Sequence, residues 1–278
     1  MSYIGYTGRT PDCLSANGPG YQQLPFLWPG FVSRDETIGF HAESDNRMSA
    51  PTDESDRLPK GDPHDPFAAA RRQMVEVQLP RHGIVDERVI GAMAVVPREE
   101  FVPASLAESA YVDSSLPIGC EQTISQPCVT ALMCELARLA GDERVLEVGA
   151  GSGYGAAVLS HLAADVYAIE RIGQLAERAR RRLQRLGISN ATVVLGDGTR
   201  GLPASAPFDA ILVTAGADAV PTALVDQLAP GGRLIIPVGP RPRDLTMYRF
   251  TNERGQLRVE EFGSFAFVPL VSDDGPGL

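Results

Sequence analysis

Apolar residues in the second half of the chain recur in two alternating rhythms, short continuous runs and longer stretches with helical spacing. The runs Arg144-Val145-Leu146-Glu147-Val148, Asp165–Glu170, Ala191–Leu195, Phe208–Thr214 and Arg233–Val238 read as strands, brief and rich in Val, Ile and Leu. Between them lie helical stretches: about Tyr154 to Leu162, the Arg-rich amphipathic Ile172–Leu186 ended by Gly187, and Pro221–Leu228. Pro230-Gly231-Gly232 reads as a tight turn, and Leu245–Thr251 with Gln256–Phe262 as a closing hairpin. Strands alternating with helices predict an α/β fold with a doubly wound, Rossmann-like and mostly parallel sheet. The hairpin adds antiparallel strands at one edge. Ligands on such sheets sit at the carboxyl ends of the strands.

Upstream, Phe67 to Arg81 reads as a helix with Met74, Val77 and Gln78 among its repeating positions, ended at Gly83-Ile84. Asp86 is placed to cap a second helix, Glu87–Met93, which Val96-Pro97-Arg98 stops. Residues 1–66 are crowded with Gly, Pro, Ser and Asp and hold no periodic segment of helix or strand length. They carry half of the net charge of −10, and the expectation is a mostly disordered acidic extension. Its aromatic patch Phe26-Leu27-Trp28-Pro29-Gly30-Phe31 is the exception. The expected division is an extension over 1–66, one domain over 67–272 and a short tail over 273–278.

Composition narrows the class. No apolar run approaches the ~18–20 residues needed to span a bilayer, and no charged start precedes an apolar stretch, so a cytoplasmic protein without a membrane partner is expected. The negative net charge argues against a nucleic-acid partner. Cys13, Cys120, Cys128 and Cys134 show no CxxC spacing and no nearby histidine, which points to free thiols rather than a metal site or disulfides. His41, His64, His82 and His161 fall in no motif and read as structural or surface residues.

Candidate chemistry gathers at strand ends. Glu147-Val148-Gly149-Ala150-Gly151-Ser152-Gly153-Tyr154 joins a strand to a helix, and its glycines permit a tight turn and close approach of a ligand to bare backbone. The loop can be forced into the dinucleotide pattern as Gly151-x-Gly153-x-x-Ala156, which brings an NAD enzyme into consideration. It opens, however, at Gly149 directly after the strand, giving G-x-G-x-G with Tyr154 where the third dinucleotide glycine should fall. Glu170, about twenty residues on at the next strand end, suits the two hydroxyls of a ribose, whichever nucleotide is bound. Asp197, between Gly196 and Gly198 at the third strand end, suits an adenine amino group, although turn formation alone also explains an aspartate there. The combination favours a methyltransferase over a dehydrogenase.

Ahead of the sheet lies Leu116-Pro117-Ile118-Gly119-Cys120-Glu121-Gln122-Thr123-Ile124-Ser125-Gln126-Pro127, polar residues between two apolar runs. This segment resembles the active-site loop of protein-L-isoaspartate O-methyltransferases, with a T-I-S-Q-P core. The resemblance extends through Met74-Val75, Val96-Pro97-Arg98-Glu99, Phe101-Val102-Pro103, Ala110-Tyr111, the glycine loop, Ile169-Glu170-Arg171-Ile172, Gly196-Asp197-Gly198, Ala206-Pro207-Phe208-Asp209, Gly231-Gly232-Arg233-Leu234 and Phe267-Val268-Pro269-Leu270, over about 70–271. It implies a Rossmann-like methyltransferase fold and S-adenosyl-L-methionine as cofactor. It also implies carboxyl O-methylation of L-isoaspartyl residues in damaged proteins or peptides. By the same resemblance Ser125 sits at the reacting carboxylate with Thr123 and Gln122 in the same wall. Thr130, Glu147, Gly149, Gly151, Gly153, Glu170, Asp197 and Gly198 match positions at the cofactor, and no metal is implied. A carboxylate with a pKa near ~4 is ionised at neutral pH, so the chemistry needs no general base.

Three positions depart from the family pattern. Glu121 stands where glycine is usual, and its charge would either repel a carboxylate substrate or point to solvent. Cys128 follows Pro127 where an aromatic or similar residue is common. Gly216 replaces a frequent alanine, a change expected to matter little. Two other readings fit the same residues: methylation of an ordinary aspartate in a biosynthetic peptide, and a non-catalytic binding module on the same scaffold.

Overall fold

The computed structural model describes residues 65–273. The expected acidic extension and its aromatic patch, but for Asp65 and Pro66, and the last five residues lie outside the described residues. A helix, α1, runs in three stretches: Ala68–Gln73, Met74–Gln78 in π geometry, and Leu79–Arg81. The wide turn has a cause in the sequence. Pro80 has no N–H to give to Glu76, and the preceding Leu79 N–H reaches back five residues to the Met74 carbonyl. Asp65 accepts from the Phe67 N–H at 2.8 Å and pairs with Arg71, fastening the start of this helix. Helix α2, Glu87–Val95, begins at Asp86, whose carboxylate accepts from Arg88 N and Val89 N as its position predicts, a cap worth about 1 kcal/mol.

Two features escape the sequence rhythm. Strands β1, Leu116–Gly119, and β2, Gln122–Ile124, form a small antiparallel hairpin inside the polar segment that holds the T-I-S-Q-P core. Helix α3, Pro127–Ala137, follows it, buried on most sides through Cys128, Ala131, Met133, Cys134, Leu136 and Ala137. The alternation then proceeds as β3 (Arg144–Val148), α4 (Tyr154–Leu159), β4 (Asp165–Glu170), α5 (Gly173–Arg185), β5 (Ala191–Leu195), β6 (Phe208–Val213), α6 (Thr222–Val225), β7 (Leu228–Arg241), β8 (Asp244–Glu253) and β9 (Gln256–Phe265). The expected turn at Pro230-Gly231-Gly232 is instead an irregularity inside β7, where the pairing with β6 shifts register between Phe208 and Ala210.

These strands make one seven-stranded sheet in the order β5-β4-β3-β6-β7-β8-β9. The pairs from β5 to β7 are parallel, and β8 and β9 close the edge antiparallel. Strand order reverses at β3, so the crevice for a ligand opens beyond its carboxyl end. Apolar layers cover both faces. Leu146 and Val148 pack with Ile169, Phe208, Ile211 and Leu224 on one side, while Val145 packs with the helices α1–α5 on the other. The two-residue period of a strand places Glu147 on the Val145 face, a carboxylate at a core position. No helix among the described residues is long and apolar enough to cross a membrane.

Candidate active site

The cleft beyond β3 and β4 is lined by Gln122, Thr123, Ser125, Thr130, Glu147, Gly149, Gly151, Glu170 and Gly198, nine of the eleven residues expected from sequence. The remaining two, Gly153 and Asp197, are not among the lining residues. Gly153 precedes α4 at φ +91°, and a Cβ there would press on Ala179 of α5 at 3.1 Å, so glycine lets the two helices close up. Asp197 is engaged on both oxygens: Oδ1 accepts from Thr199 N and Oγ1, and Oδ2 from Ser272 Oγ and Asp273 N at 3.1 and 3.0 Å. Burial works against its charge, but the hydrogen bonds from Asp273, Thr199 and Ser272 outweigh it and hold the carboxyl below its ordinary range.

The glycine loop is shaped around its neighbours. Gly149 has φ +96°, and a Cβ there would meet Thr214 Oγ1 at 2.6 Å, the hydroxyl that donates to the Gly149 carbonyl at 2.7 Å. Glu170 is held by two backbone donors, Gly151 N on Oε2 and Ile172 N on Oε1, both at 2.8 Å. These bonds fix the plane of the carboxylate and leave lone pairs directed at the cleft. Glu147 lies beneath the loop, 2% exposed, and a Cβ on Gly155 would overlap its carboxylate. Its Oε2 is a buried oxygen without a hydrogen-bond partner among the described residues. Desolvation, reinforced by the Glu170 charge, raises its pKa to about 8, so the free protein holds it largely as the neutral acid at pH 7.

The β1–β2 hairpin brings Gln122, Thr123 and Ser125 to the opposite wall. Cys120 and Glu121 form its turn with φ of +53° and +59°, left-handed geometry at two non-glycine residues. That backbone explains why glycine suits position 121, and the Glu121 side chain is exposed and outside the cleft wall. Arg98 holds the loop from behind. It is fully buried, donates from Nε to the Ala110 carbonyl at 2.7 Å and from a terminal nitrogen to the Ser125 carbonyl at 2.6 Å, and lies over the Tyr154 ring at 4.7 Å. Desolvation lowers its pKa, although an arginine stays charged throughout the working range. In the sequence Arg98 is visible as part of the stop of α2 and of a segment that resembles the family, with no role attached to its side chain.

A third wall comes from Val268, Pro269, Leu270 and Val271. This segment is laid in place by Gly216, whose N–H donates to the Val268 carbonyl and whose carbonyl accepts from Leu270 N, at 2.8 and 2.7 Å. A Cβ on Gly216 would overlap the side chain of the buried Leu245, so alanine at this position needs that residue to repack.

The model of the protein-L-isoaspartate(D-aspartate) O-methyltransferase family matches residues 70–275. A protein-L-isoaspartate O-methyltransferase of Methanoculleus marisnigri is 48% identical over 212 residues, 76% of this chain and 96% of that protein. One of Methylorubrum populi is 54% identical over 209 residues, 74% of this chain and 97% of its own length. Among solved structures, a Plasmodium falciparum protein described as a protein-L-isoaspartate O-methyltransferase, bound to S-adenosyl-L-homocysteine, superposes with a TM-score of 0.63 at 27% identity, covering 72% of this chain and 97% of that one.

Proposed function

The chain belongs to the protein-L-isoaspartate(D-aspartate) O-methyltransferase family, and from that premise we propose that it methylates the α-carboxylate of L-isoaspartyl residues in damaged proteins or peptides. The observation that carries this reading is the single cleft in which Gln122, Thr123 and Ser125 face Glu147, Glu170 and the bare backbone of Gly149 and Gly151. The residues present fit S-adenosyl-L-methionine. Glu170 is fixed by two N–H donors to receive a diol, and the unpartnered Glu147 oxygen lies beneath the loop where a cationic ligand would be attracted. When bound, the cofactor supplies a methyl group on a sulfonium, which passes to a carboxylate oxygen as the sulfur leaves as a neutral thioether.

The protein's own contribution is then alignment and exclusion of water. An isoaspartyl carboxylate arrives ionised, so no side chain has to take a proton. In this reading Ser125 donates one hydrogen bond to that carboxylate, and Thr123 and Gln122 complete its wall. Arg98 fixes the backbone from which Ser125 projects. Orientation of this kind lowers barriers by roughly 7–11 kcal/mol in favourable cases. Gly153 and Asp197 act indirectly: the glycine by helix packing, the aspartate by fastening residues 272–273 next to the Val268–Val271 wall. The exposed Glu121 carboxylate leaves the cleft wall free of an added negative charge, which suits a carboxylate substrate. A protein or peptide of the cytoplasm is the expected partner.

Methyl-labelled S-adenosyl-L-methionine with an isoaspartyl peptide tests the reading. It expects base-labile label with wild type and at least a tenfold weaker cofactor affinity in Glu170→Ala. Binding of NAD in place of S-adenosyl-L-methionine, or cofactor binding without transfer, would overturn it.

A further inference from the structure

Away from the cleft, three side chains of different chemistry converge from three separate elements. His82 terminates α1, Asp113 lies in the loop before β1, and Cys128 sits in the first turn of α3. One ligand atom from each, an imidazole nitrogen, a carboxylate oxygen and a thiol sulfur, lies within 4.8 Å of the others. His82 Nε2 and Asp113 Oδ2 are 2.6 Å apart, and Gln126 Nε2 donates to the other Asp113 oxygen at 2.7 Å. Cys128 is buried while Asp113 is exposed, so the cluster is closed on the protein side and open to solvent at one edge.

We propose that His82, Asp113 and Cys128 form a binding site for one zinc ion, with solvent as the fourth ligand. The donor set selects the metal. Nitrogen, sulfur and a single carboxylate suit a borderline-soft tetrahedral cation, whereas magnesium and calcium take all-oxygen shells. Binding forms a Zn–S bond to Cys128 and breaks its S–H bond, the proton leaving to solvent on the Asp113 side. The imidazole and carboxylate, now in direct contact, separate slightly to take the ion between them.

The position of the site gives it a consequence. Cys128 is three residues beyond Ser125, and Gln126 between them already holds Asp113. A bound zinc would tie the end of α1, the loop before β1 and the start of α3 into one unit directly under the substrate wall. The linear sequence hides the site, since 31 residues separate the histidine from the aspartate and no short motif marks any of the three.

Cobalt(II), which absorbs where zinc is silent, reads the site directly in the full-length chain freed of metal by chelation. Titration is expected to give a thiolate-to-cobalt charge-transfer band that saturates at one equivalent and disappears when zinc is added. Cys128→Ser should abolish the band, while Cys13→Ser and Cys120→Ser keep it. His82→Gln should weaken zinc binding by at least the ~10–100-fold that loss of even an outer-shell partner costs. Cys128→His replaces one ligand by another and should lose the thiolate band yet retain stoichiometric zinc binding and a metal-dependent rise in melting temperature. A wild type without the band at stoichiometric cobalt, or a band that survives in Cys128→Ser, would overturn the proposal. So would Cys128→His, with circular dichroism like wild type, that fails to bind zinc.

Discussion

Replacing Glu147 by glutamine removes an ionisation while keeping the size of the side chain and an oxygen for the hydrogen bond from the Ala156 backbone. Burial raises this carboxyl from an ordinary 4.5 to about 8. At about 1.4 kcal/mol per decade of proton affinity, the shift corresponds to something on the order of 5 kcal/mol. Its sign follows from which state holds the proton. Between pH 4.5 and about 8 the unfolded chain has lost the proton that the folded chain keeps, so stability falls as pH rises. The contribution is complete below 4.5, declines by up to ~1.4 kcal/mol per pH unit, and is gone above about 8. The glutamine protein has no such term. Urea denaturation of both proteins at pH 5.5, 6.5, 7.5 and 8.5 isolates it, because titrating groups shared by the two cancel in the difference. The stability of Glu147→Gln relative to wild type should climb steadily to about pH 8 and then level off. A difference that stays constant across the range would refute the burial argument. Cationic cofactor should release the same proton, so calorimetric binding enthalpies near pH 7 should vary with buffer ionisation enthalpy in wild type and much less in the variant.

Arg98→Lys keeps the charge but gathers its donors on one nitrogen, which cannot span the Ala110 and Ser125 carbonyls that Nε and a terminal nitrogen reach separately, so we expect a loss of about 2–4 kcal/mol by denaturation, with kcat lowered more than KM is raised. Unchanged kcat would remove Arg98 from the positioning of Ser125. Glu121→Gly relieves left-handed strain at an exposed turn and should add roughly 1 kcal/mol of stability without altering transfer to an isoaspartyl peptide. A large change in KM there would show that Glu121 meets substrate. Gly155→Ala should displace the Glu147 carboxylate and weaken S-adenosyl-L-methionine binding by at least tenfold in equilibrium dialysis, whereas wild-type affinity would mean that Glu147 is not needed at the cofactor.

The parallel sheet is legible in sequence because each strand is a short apolar run buried on both faces, and β3, β4 and β5 begin and end where those runs do. Glu170 and the glycine loop are legible for the same reason, as polar or bare positions at the ends of apolar strands, whereas Glu147 enters only through the family resemblance. What escapes has identifiable causes. Helix α3 is buried nearly all round, so it lacks the polar face that marks a helix. The β1–β2 hairpin turns on Cys120-Glu121 rather than the Asn-Gly or Asp-Gly that announces such a turn. Arg98 reveals itself only through carbonyls of Ala110 and Ser125 that the fold brings to it, 12 and 27 residues away. Asp197 shows the converse: its position at a strand end is read correctly, but only the structure shows residues 272 and 273 drawn onto its carboxylate.

In the proposed reaction the Ser125 wall receives an isoaspartyl carboxylate. Two peptides identical except for isoaspartate or aspartate at one position, incubated with methyl-labelled S-adenosyl-L-methionine, test it directly. Base-labile label is expected on the isoaspartyl peptide alone, strongly reduced in a Ser125→Ala protein that still binds cofactor. Label on the aspartyl peptide alone, or on neither while cofactor binds, would contradict it.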